Sequence, residues 1–417
     1  MPRSLGRPFL ALSVFVLSCT AGGQPERARD AARASSDPEA DEASRAGGTA
    51  GRDAPSTAPS DPAPSGPPRV DFIGRFDTRD PAGPACAWPG CRIVARFEGT
   101  HVSARLQEVA ESWMAGGPSE WDVSIDGRLQ PKLVMAAGSR DYELARGLHP
   151  GEHVVELYKR NEAQTGATRF LGADFGDGKL LAPPGRHVRK IEIIGDSQPA
   201  AFGIEGVGQG PPCPGVEYAA KWQDFHKSFG ALLGEKLTAE VQGTVYSGKG
   251  LVKNIWRADN ETMPIIFPRA MPTEPASAWD FAAYVPDVVV IMMGGNDFAI
   301  GQPVDDGPTQ LEPFTDAYDA FVVTIRHKYP DAHVFLVTSP SISDAEPAGR
   351  QSRTNVMTGI DRVVARRHDA GDGRVYAVTP PVARASELTG CGGHGNPEFH
   401  RRLADDLAQP VRDKTGW

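Results

Sequence analysis

Four residues along the chain have the types that serine-dependent acyl transfer requires. They are Ser197 in IEIIGDS, Gly248 in VYSGKG, Asn296 in IMMGGND and His394 in CGGHGN. A serine hydroxyl attacks an acyl carbon when an imidazole takes its proton, and N–H groups stabilise the oxyanion that forms. The set therefore predicts Ser197 as the nucleophile and His394 as the base. The N–H groups of Ser197, Gly248 and Asn296 are the predicted oxyanion hole.

Each of these residues also has an ordinary structural interpretation. Gly-Asp-Ser is frequent in turns, Gly248 suits a turn, and Asn296 suits a helix cap. His394 could be a surface residue, and His400 is a rival base whose place within a predicted helix favours packing. The catalytic interpretation rests on the order Ser, Gly, Asn, His, with each residue at the end of its own element.

Predicted strands alternate with predicted helices from about residue 188 onward. The strands are expected at 191–194, 239–247, 287–293, 333–338 and 374–378. The helices are expected at 220–236, 311–328, 354–368 and from Asn396 onward. Such alternation gives a parallel sheet with helices on both faces, so residues 186–417 are predicted to form a three-layer α/β/α domain. The four catalytic candidates are expected to meet at the carboxyl edge of its sheet.

The apolar residues of 69–185 alternate as they do in β-strands. Alternating apolar positions in CRIVARFEGTHVSARLQ and the short strand WDVSIDGRL predict a β-sandwich or jelly roll. The stretch YELARGLHPGEHVVELYKR predicts a hairpin with Pro150-Gly151 at its tip. His149 and His153 then flank a turn, and we do not interpret them as metal ligands. The predicted chemistry requires no metal or organic cofactor.

The amino-terminal residues are typical of an export signal. Arg3 and Arg7 precede an apolar run over 9–17 that is too short to span a membrane. The run ends at Val-Leu-Ser-Cys, which resembles a bacterial lipobox, so residues 1–19 are predicted to be a lipoprotein signal peptide with lipid on Cys19. The alternative is an ordinary cleaved signal. The lipobox interpretation places the protein at the outer membrane or cell surface, anchored through its lipid.

Residues 20–68 contain no Val, Ile, Leu, Met, Phe, Tyr or Trp. Such a segment buries too little apolar surface to offset the entropy of ordering, and it is predicted to be a disordered tether. The precursor has a net charge of −9 without a basic block, which argues against a nucleic-acid partner.

Four further cysteines could form disulfides after export. Cys86 and Cys91 close a short loop, which leaves Cys213 to pair with Cys391. Four cysteines nevertheless allow three pairings, and the sequence does not choose among them.

The four catalytic candidates resemble the Ser-Gly-Asn-His set of the SGNH, or GDSL-type, hydrolases. The stretches IGRFDTRD, AWPGCRIVARFEGT, IEIIGDS, YSGKGL, YVPDVVVIMMGGNDF and GCGGHGNPEFHRRLA are similar to carbohydrate esterase family 2 over residues 70–410. The resemblance implies an N-terminal β-sandwich followed by the SGNH domain. It also implies an esterase that removes acetyl groups from polysaccharides such as xylan or glucomannan.

The chain departs from the family pattern around its histidine and serine. Gly392 stands where the family usually has Asp, Gly395 stands where Pro is common, and Gln198-Pro199 replaces an apolar-Thr pair. No local carboxylate is therefore expected to orient His394. The resemblance implies that a Ser-His dyad can suffice, with a backbone carbonyl holding the imidazole. A distant carboxylate or a weakened enzyme are the alternatives.

Three aromatic residues near the predicted site are candidates for a sugar cleft, although each could equally pack in the core: Trp256, Trp279 and Phe298. Other functions remain open on sequence alone. They are an esterase for lipid or peptidoglycan O-acetyl esters, a non-catalytic carbohydrate-binding lipoprotein, and a structural protein with a degenerate hydrolase fold.

Overall fold

The computed structural model describes residues 62–109, 116–210, 212–216 and 218–417. The predicted signal peptide, Cys19 and the tether as far as residue 61 lie outside these residues, so the interpretations placed on them stay predictions. None of the helices within the described ranges has the length and hydropathy of a membrane span.

The N-terminal part is built from antiparallel strands, as the fold prediction requires. Its nine strands form one sheet with β2-β8-β3-β7-β4-β5 as the main path. The strands are β1 (Asp71–Ile73), β2 (Ala85–Cys86), β3 (Arg92–Val109), β4 (Glu120–Ile125), β5 (Arg128–Leu129), β6 (Leu133–Val134), β7 (Gly138–Lys159), β8 (Ala167–Asp174) and β9 (Lys179–Leu180). We call this part the β domain.

The hairpin predicted around Pro150-Gly151 is wrong. Residues on both sides of this dipeptide belong to β7, and both sides pair with β3 instead of with each other. The register shifts between Gly99 and His101, opposite residues 147–150 of β7. The extra residues of β7 form an irregularity there, and a bulge of this kind accommodates a proline that an ordinary ladder position would exclude.

The second part, which we call the catalytic domain, is the predicted α/β/α domain. Its parallel sheet has the order β11-β10-β12-β13-β14. The strands are β10 (Arg189–Gly195), β11 (Ala239–Val245), β12 (Val288–Met292), β13 (His333–Val337) and β14 (Val375–Val378). The helices are α1 (Phe229–Leu237), α2 (Met263–Ile266), α3 (Gly295–Phe298), α4 (Leu311–Lys328), α5 (Ser352–Asp369) and α6 (Pro397–Thr415).

Alternation along β12 shows how the sheet is covered on both faces. Val288, Val290 and Met292 pack in a core with α1 and α6. Val289 and Ile291 point to the opposite face and pack in a core with α4 and α5. A continuous apolar run is therefore required, because successive side chains of a strand alternate between two buried faces.

The helix predicted at 220–236 is shorter than expected. Only α1 is helical, after two 3-10 turns at Ala220–Trp222 and Phe225–Lys227. The segment before α1 binds the β domain instead: the Phe225 N–H donates to the Arg160 carbonyl at 2.8 Å, and Asp224 forms an ion pair with Arg160 at 3.0 Å. Ser228 then caps α1 by accepting from the Ala231 N–H.

The two domains share one hydrophobic core. Trp88 and Trp121 of the β domain belong to the same buried cluster as Ile291 of the central sheet. Beside this cluster, Arg75 of the β domain forms a fully buried ion pair with Glu192 of β10 at 2.8 Å. The boundary between the domains is thus packed like a domain interior.

Cys213 and Cys391 form a disulfide that links positions 178 residues apart. Cys86 and Cys91, whose pairing was one of the possibilities left open by the sequence, are buried free thiols. Each sulfur has a backbone carbonyl as acceptor, that of Trp88 at 3.7 Å for Cys86 and that of Arg75 for Cys91. These acceptors satisfy both thiols without a bond between the sulfurs.

Candidate active site

The nucleophile candidate lies at the carboxyl end of β10. This strand lies between β11 and β12, where the order of the sheet reverses and where open α/β folds hold their sites. The last residue of the strand is Gly195, and a side chain is excluded there because a Cβ would lie 2.4 Å from the Pro199 ring and 2.6 Å from the Met292 carbonyl. The chain then turns away from the sheet and leaves the Ser197 side chain partly exposed.

His394 lies in the loop that precedes α6. Asn396 fixes this loop by accepting from the backbone N–H groups of Glu398 and Phe399 at the helix start. The imidazole Nε2 lies 2.7 Å from the Ser197 Oγ, and its Nδ1 lies 2.9 Å from the Cys391 carbonyl oxygen. Because a carbonyl only accepts, Nδ1 carries the proton and Nε2 is free to accept from the serine.

No carboxylate in the described part of the chain bonds this imidazole, whose partners are a carbonyl and a hydroxyl. Burial lowers the pKa of His394 to about 4, and the backbone acceptor opposes this shift only in part. The ring is therefore neutral at pH 7, which is the form that a general base needs. The rival His400 is fully buried within α6 and accepts from the Phe229 N–H, so it does not reach Ser197.

Two departures from the family pattern contact each other. The Gln198 side-chain oxygen accepts from the Gly395 N–H at 3.1 Å. A proline at position 395 would have no N–H to donate. Gln198 thus joins the nucleophile turn to the histidine loop, and the Cys213–Cys391 disulfide holds the same loop three residues before His394.

Two backbone N–H groups are available as oxyanion donors. Within the described residues, no acceptor bonds the N–H of Ser197 or that of Gly248. Gly248 has a φ of 81°, and a Cβ there would lie 2.8 Å from the Ile255 side chain. Only glycine fits this position without strain.

Asn296, at the start of α3, already uses both hydrogens of its amide. Its Nδ2 donates to the Lys249 carbonyl at 2.9 Å and to the Asp196 carboxylate at 3.2 Å. The oxyanion role predicted for Asn296 would require the amide to exchange one of these acceptors. Asp196 is buried, and desolvation raises its pKa to about 7.

Sequence reasoning missed the role of Asp297. Its carboxylate accepts from the backbone N–H groups of Leu251, Val252 and Lys253, and so holds the loop that follows Gly248. Burial raises its pKa to about 6. The only signal in the sequence was that Asp297 follows Asn296, and an Asn-Asp pair after a strand is also typical of a helix cap.

Of the three aromatic residues predicted to line a sugar cleft, one lies beside the oxyanion loop and two lie elsewhere. Trp256 lies beside Gly248 and is 37% exposed. Phe298 is fully buried against Phe314, and Trp279 packs over Arg75 at the domain boundary. The cleft role predicted for Phe298 is therefore wrong, because its side chain is fully buried. Trp279 is partly exposed and packs against Arg75 instead of lying beside Trp256.

Two aromatic residues that sequence reasoning missed continue the wall from Trp256 to the histidine. Tyr218 lies 6.4 Å from Trp256 and 5.1 Å from Phe202, between ring centroids. Phe202 contacts His394 edge-on at 4.7 Å. No spacing in the sequence relates these positions.

Comparison with known proteins gives matches in both domains. Residues 72–184 match the family described as Carbohydrate esterase 2 N-terminal. Residues 193–410 match the GDSL-like Lipase/Acylhydrolase family.

Two curated relatives align with most of the chain. A cellulase/esterase of Acetivibrio thermocellus is 34% identical over 353 residues, which cover 84% of this chain and 40% of that protein. An acetylxylan esterase / glucomannan deacetylase of Cellvibrio japonicus is 27% identical over 84% of this chain and 90% of that protein.

A solved structure extends the likeness to three dimensions. It is a family two carbohydrate esterase from Clostridium thermocellum in complex with cellohexaose. The TM-score is 0.74 with 32% sequence identity, and the alignment covers 84% of this chain and 100% of that chain. With both domains matched in order, the chain belongs to carbohydrate esterase family 2, within the GDSL-like hydrolases.

Proposed function

We propose that the protein is a serine esterase that removes O-acetyl groups from a polysaccharide of the xylan or glucomannan type. The observation that carries the proposal is the 2.7 Å contact between Ser197 Oγ and His394 Nε2, beside two N–H groups without an acceptor among the described residues. The names of the relatives support an acetylated polysaccharide as substrate.

The proposed reaction runs through a covalent intermediate. His394 takes the proton of Ser197 as the hydroxyl attacks the acetyl carbonyl, and the N–H groups of Ser197 and Gly248 receive the oxyanion. Asn296 adds a third donor when its amide exchanges an acceptor. His394 then gives this proton to the departing sugar oxygen, which leaves as a hydroxyl group. Water, deprotonated by His394, attacks the acetyl-serine and releases acetate and free Ser197.

The test is acetate release from acetylated xylan, acetylated glucomannan and p-nitrophenyl acetate by residues 62–417. Ser197→Ala and His394→Ala should abolish release, and Asn296→Ala should lower turnover about a hundredfold or more, since losing one oxyanion donor costs roughly 2.7–4 kcal/mol. A folded wild-type protein that releases no acetate from any ester would refute the esterase. Equal rates on lipid or peptidoglycan O-acetyl esters would refute the polysaccharide preference.

Binding without turnover is the second candidate function. The solved relative holds cellohexaose. In this protein Trp256, which is 37% exposed, and the partly exposed Tyr218 offer aromatic surface to a sugar chain. Affinity for cellohexaose in a protein without esterase activity would favour it.

We further propose that lipid on Cys19 anchors the protein at the outer membrane or cell surface. Labelled palmitate should be incorporated into the wild-type precursor and not into Cys19→Ala. Equal labelling of both proteins would contradict the anchor.

A further inference from the structure

The turn that follows β7 enters the boundary with the catalytic domain. Asn161 donates its side-chain amide to the Ala220 carbonyl at 3.4 Å, and the Glu162 N–H donates to the Gln223 side chain at 2.9 Å. Lys159, fully buried at the end of β7, donates to the Asn161 carbonyl at 2.6 Å. The first two bonds hold the turn against the loop that precedes α1, and the third stabilises the turn itself.

Glu162, within this turn, reaches the loop that carries an oxyanion donor. Its carboxylate is fully buried. One oxygen accepts from the Ser247 hydroxyl at 2.6 Å, and the other accepts from the Ser247 backbone N–H and from Gln164 at 3.2 Å. Ser247 immediately precedes Gly248.

We infer that Glu162 is a positioning residue that directs the Gly248 N–H at the oxyanion, so that the β domain completes the active site. The inference rests on the proposed esterase function. The Gly248 N–H belongs to the peptide that joins Ser247 to Gly248, and its direction depends on the conformation of Ser247. Two bonds from one carboxylate fix the backbone and the side chain of Ser247 together.

The other anchors of this loop do not hold Ser247 itself. Before the donor, the Tyr246 N–H donates to the Gly195 carbonyl at 2.9 Å, and two further anchors follow the donor. Ile255 donates to the Gly248 carbonyl at 2.8 Å, and Asn296 donates to the Lys249 carbonyl at 2.9 Å. Both hold carbonyls that follow the donor in the chain. Glu162 holds the residue that precedes it, which leaves the donor peptide fixed at both ends.

The charged groups that act on Glu162 come from two elements. Lys159 of β7 favours the ionised carboxylate, whereas Asp196 of the nucleophile turn interacts with it unfavourably. Desolvation is the larger effect and raises the pKa of Glu162 to about 7. Variants are therefore compared at one pH, above 8, where wild-type Glu162 is ionised.

The test compares three replacements of Glu162 on p-nitrophenyl acetate, with rates normalised to active sites counted by a p-nitrophenyl phosphonate. Glu162→Ala and Glu162→Asp should each lower kcat about tenfold with KM unchanged, since neither side chain reaches Ser247. Glu162→Gln should keep kcat within about threefold, because its amide oxygen accepts from the Ser247 N–H. The expected order of kcat values therefore depends on whether the side chain at position 162 is long enough to reach Ser247, and not on whether it is charged.

Asn161→Ala is the matched control. It removes the side-chain bond from the same turn to the Ala220 carbonyl of the catalytic domain, and the acceptor of the Glu120 N–H within the β domain, without touching Ser247. It should lower the melting temperature and leave kcat per active site unchanged. A wild-type kcat in the folded Ala or Asp variant would overturn the inference, with the Asp variant carrying the test if the Ala variant does not fold. A wild-type protein without esterase activity would instead refute the proposed function.

Discussion

His394 is oriented by a carbonyl oxygen, and this gives it a different electrostatic environment from an imidazole paired with a carboxylate. A carboxylate would raise the pKa of the ring and stabilise the imidazolium that forms during attack. The Cys391 carbonyl fixes the tautomer and the ring direction but supplies only a dipole. Burial therefore dominates and lowers the pKa.

The lowered pKa predicts an acid-tolerant esterase. The base acts in its neutral form, and activity is lost only as the pH falls through its pKa. With that pKa at about 4 instead of the ordinary 6.5, protonation of the imidazole should lower kcat/KM by less than about twofold between pH 6 and 5. Asp297, with a pKa of about 6, and Asp196 and Glu162, with pKa values of about 7, are buried groups near the site that also titrate close to this range.

Initial rates on p-nitrophenyl acetate, measured at constant ionic strength and corrected for buffer hydrolysis, check this prediction. Circular dichroism at each pH provides the control for unfolding. An acid limb at pH 6 to 6.5 that persists in Asp297→Asn would contradict it and would mean that the imidazole is solvated.

On the scale of secondary-structure elements, a hydrogen bond and a disulfide hold the loop before α6 to two other segments of the catalytic domain. Gln198 ties it to the nucleophile turn, and the disulfide ties it to the segment between β10 and α1. Gly206 permits the second link, because a Cβ there would lie 2.3 Å from the Cys391 sulfur. The carbonyl that orients His394 belongs to one of the bridged cysteines.

Opening the bridge by Cys213→Ser should lower both stability and turnover. A disulfide that closes a loop of this length contributes about 2–5 kcal/mol to stability, and a less firmly held Cys391 carbonyl should lower kcat about fivefold, the equivalent of roughly 1 kcal/mol.

Thermal melts and p-nitrophenyl acetate kinetics with and without dithiothreitol check this prediction. The variant should be insensitive to the reductant, whereas the wild-type protein should approach the variant when reduced. An unchanged kcat would show that Gln198 and the backbone turn suffice to hold the histidine.

On the scale of the whole molecule, the largest hydrophobic core belongs to the β domain and the catalytic domain together. Their shared core and the buried Arg75–Glu192 pair mean that removing the β domain exposes apolar surface. Removal would also leave Glu192 without its guanidinium partner, and an unpaired buried charge costs about 3–5 kcal/mol.

Residues 186–417 produced alone should therefore fail to fold. We expect no cooperative thermal transition, strong binding of a hydrophobic dye and no esterase activity. Residues 62–417, prepared in parallel, should melt cooperatively. A cooperative, active fragment would contradict this prediction and would also argue against a role for Glu162.

The sequence predicts those parts of the site that lie next to strand ends. Ser197, Gly248 and His394 are recognisable because each follows or precedes an element with a clear apolar period. Glu162 is not recognisable, since its contact with Ser247 joins residues 85 apart in separate domains. Trp279 was misplaced for the same reason: proximity along the chain did not reveal that Arg75 packs against its ring.

The disulfide between Cys213 and Cys391 also links the state of the histidine loop to the redox conditions under which the protein folds. Newly made chains in a reducing cytoplasm contain two thiols at these positions, and their histidine loop has one fastening fewer. If turnover depends on the bridge as predicted above, full activity is acquired only after oxidation. Two preparations with identical sequences should then differ in specific activity according to the host compartment in which each was folded.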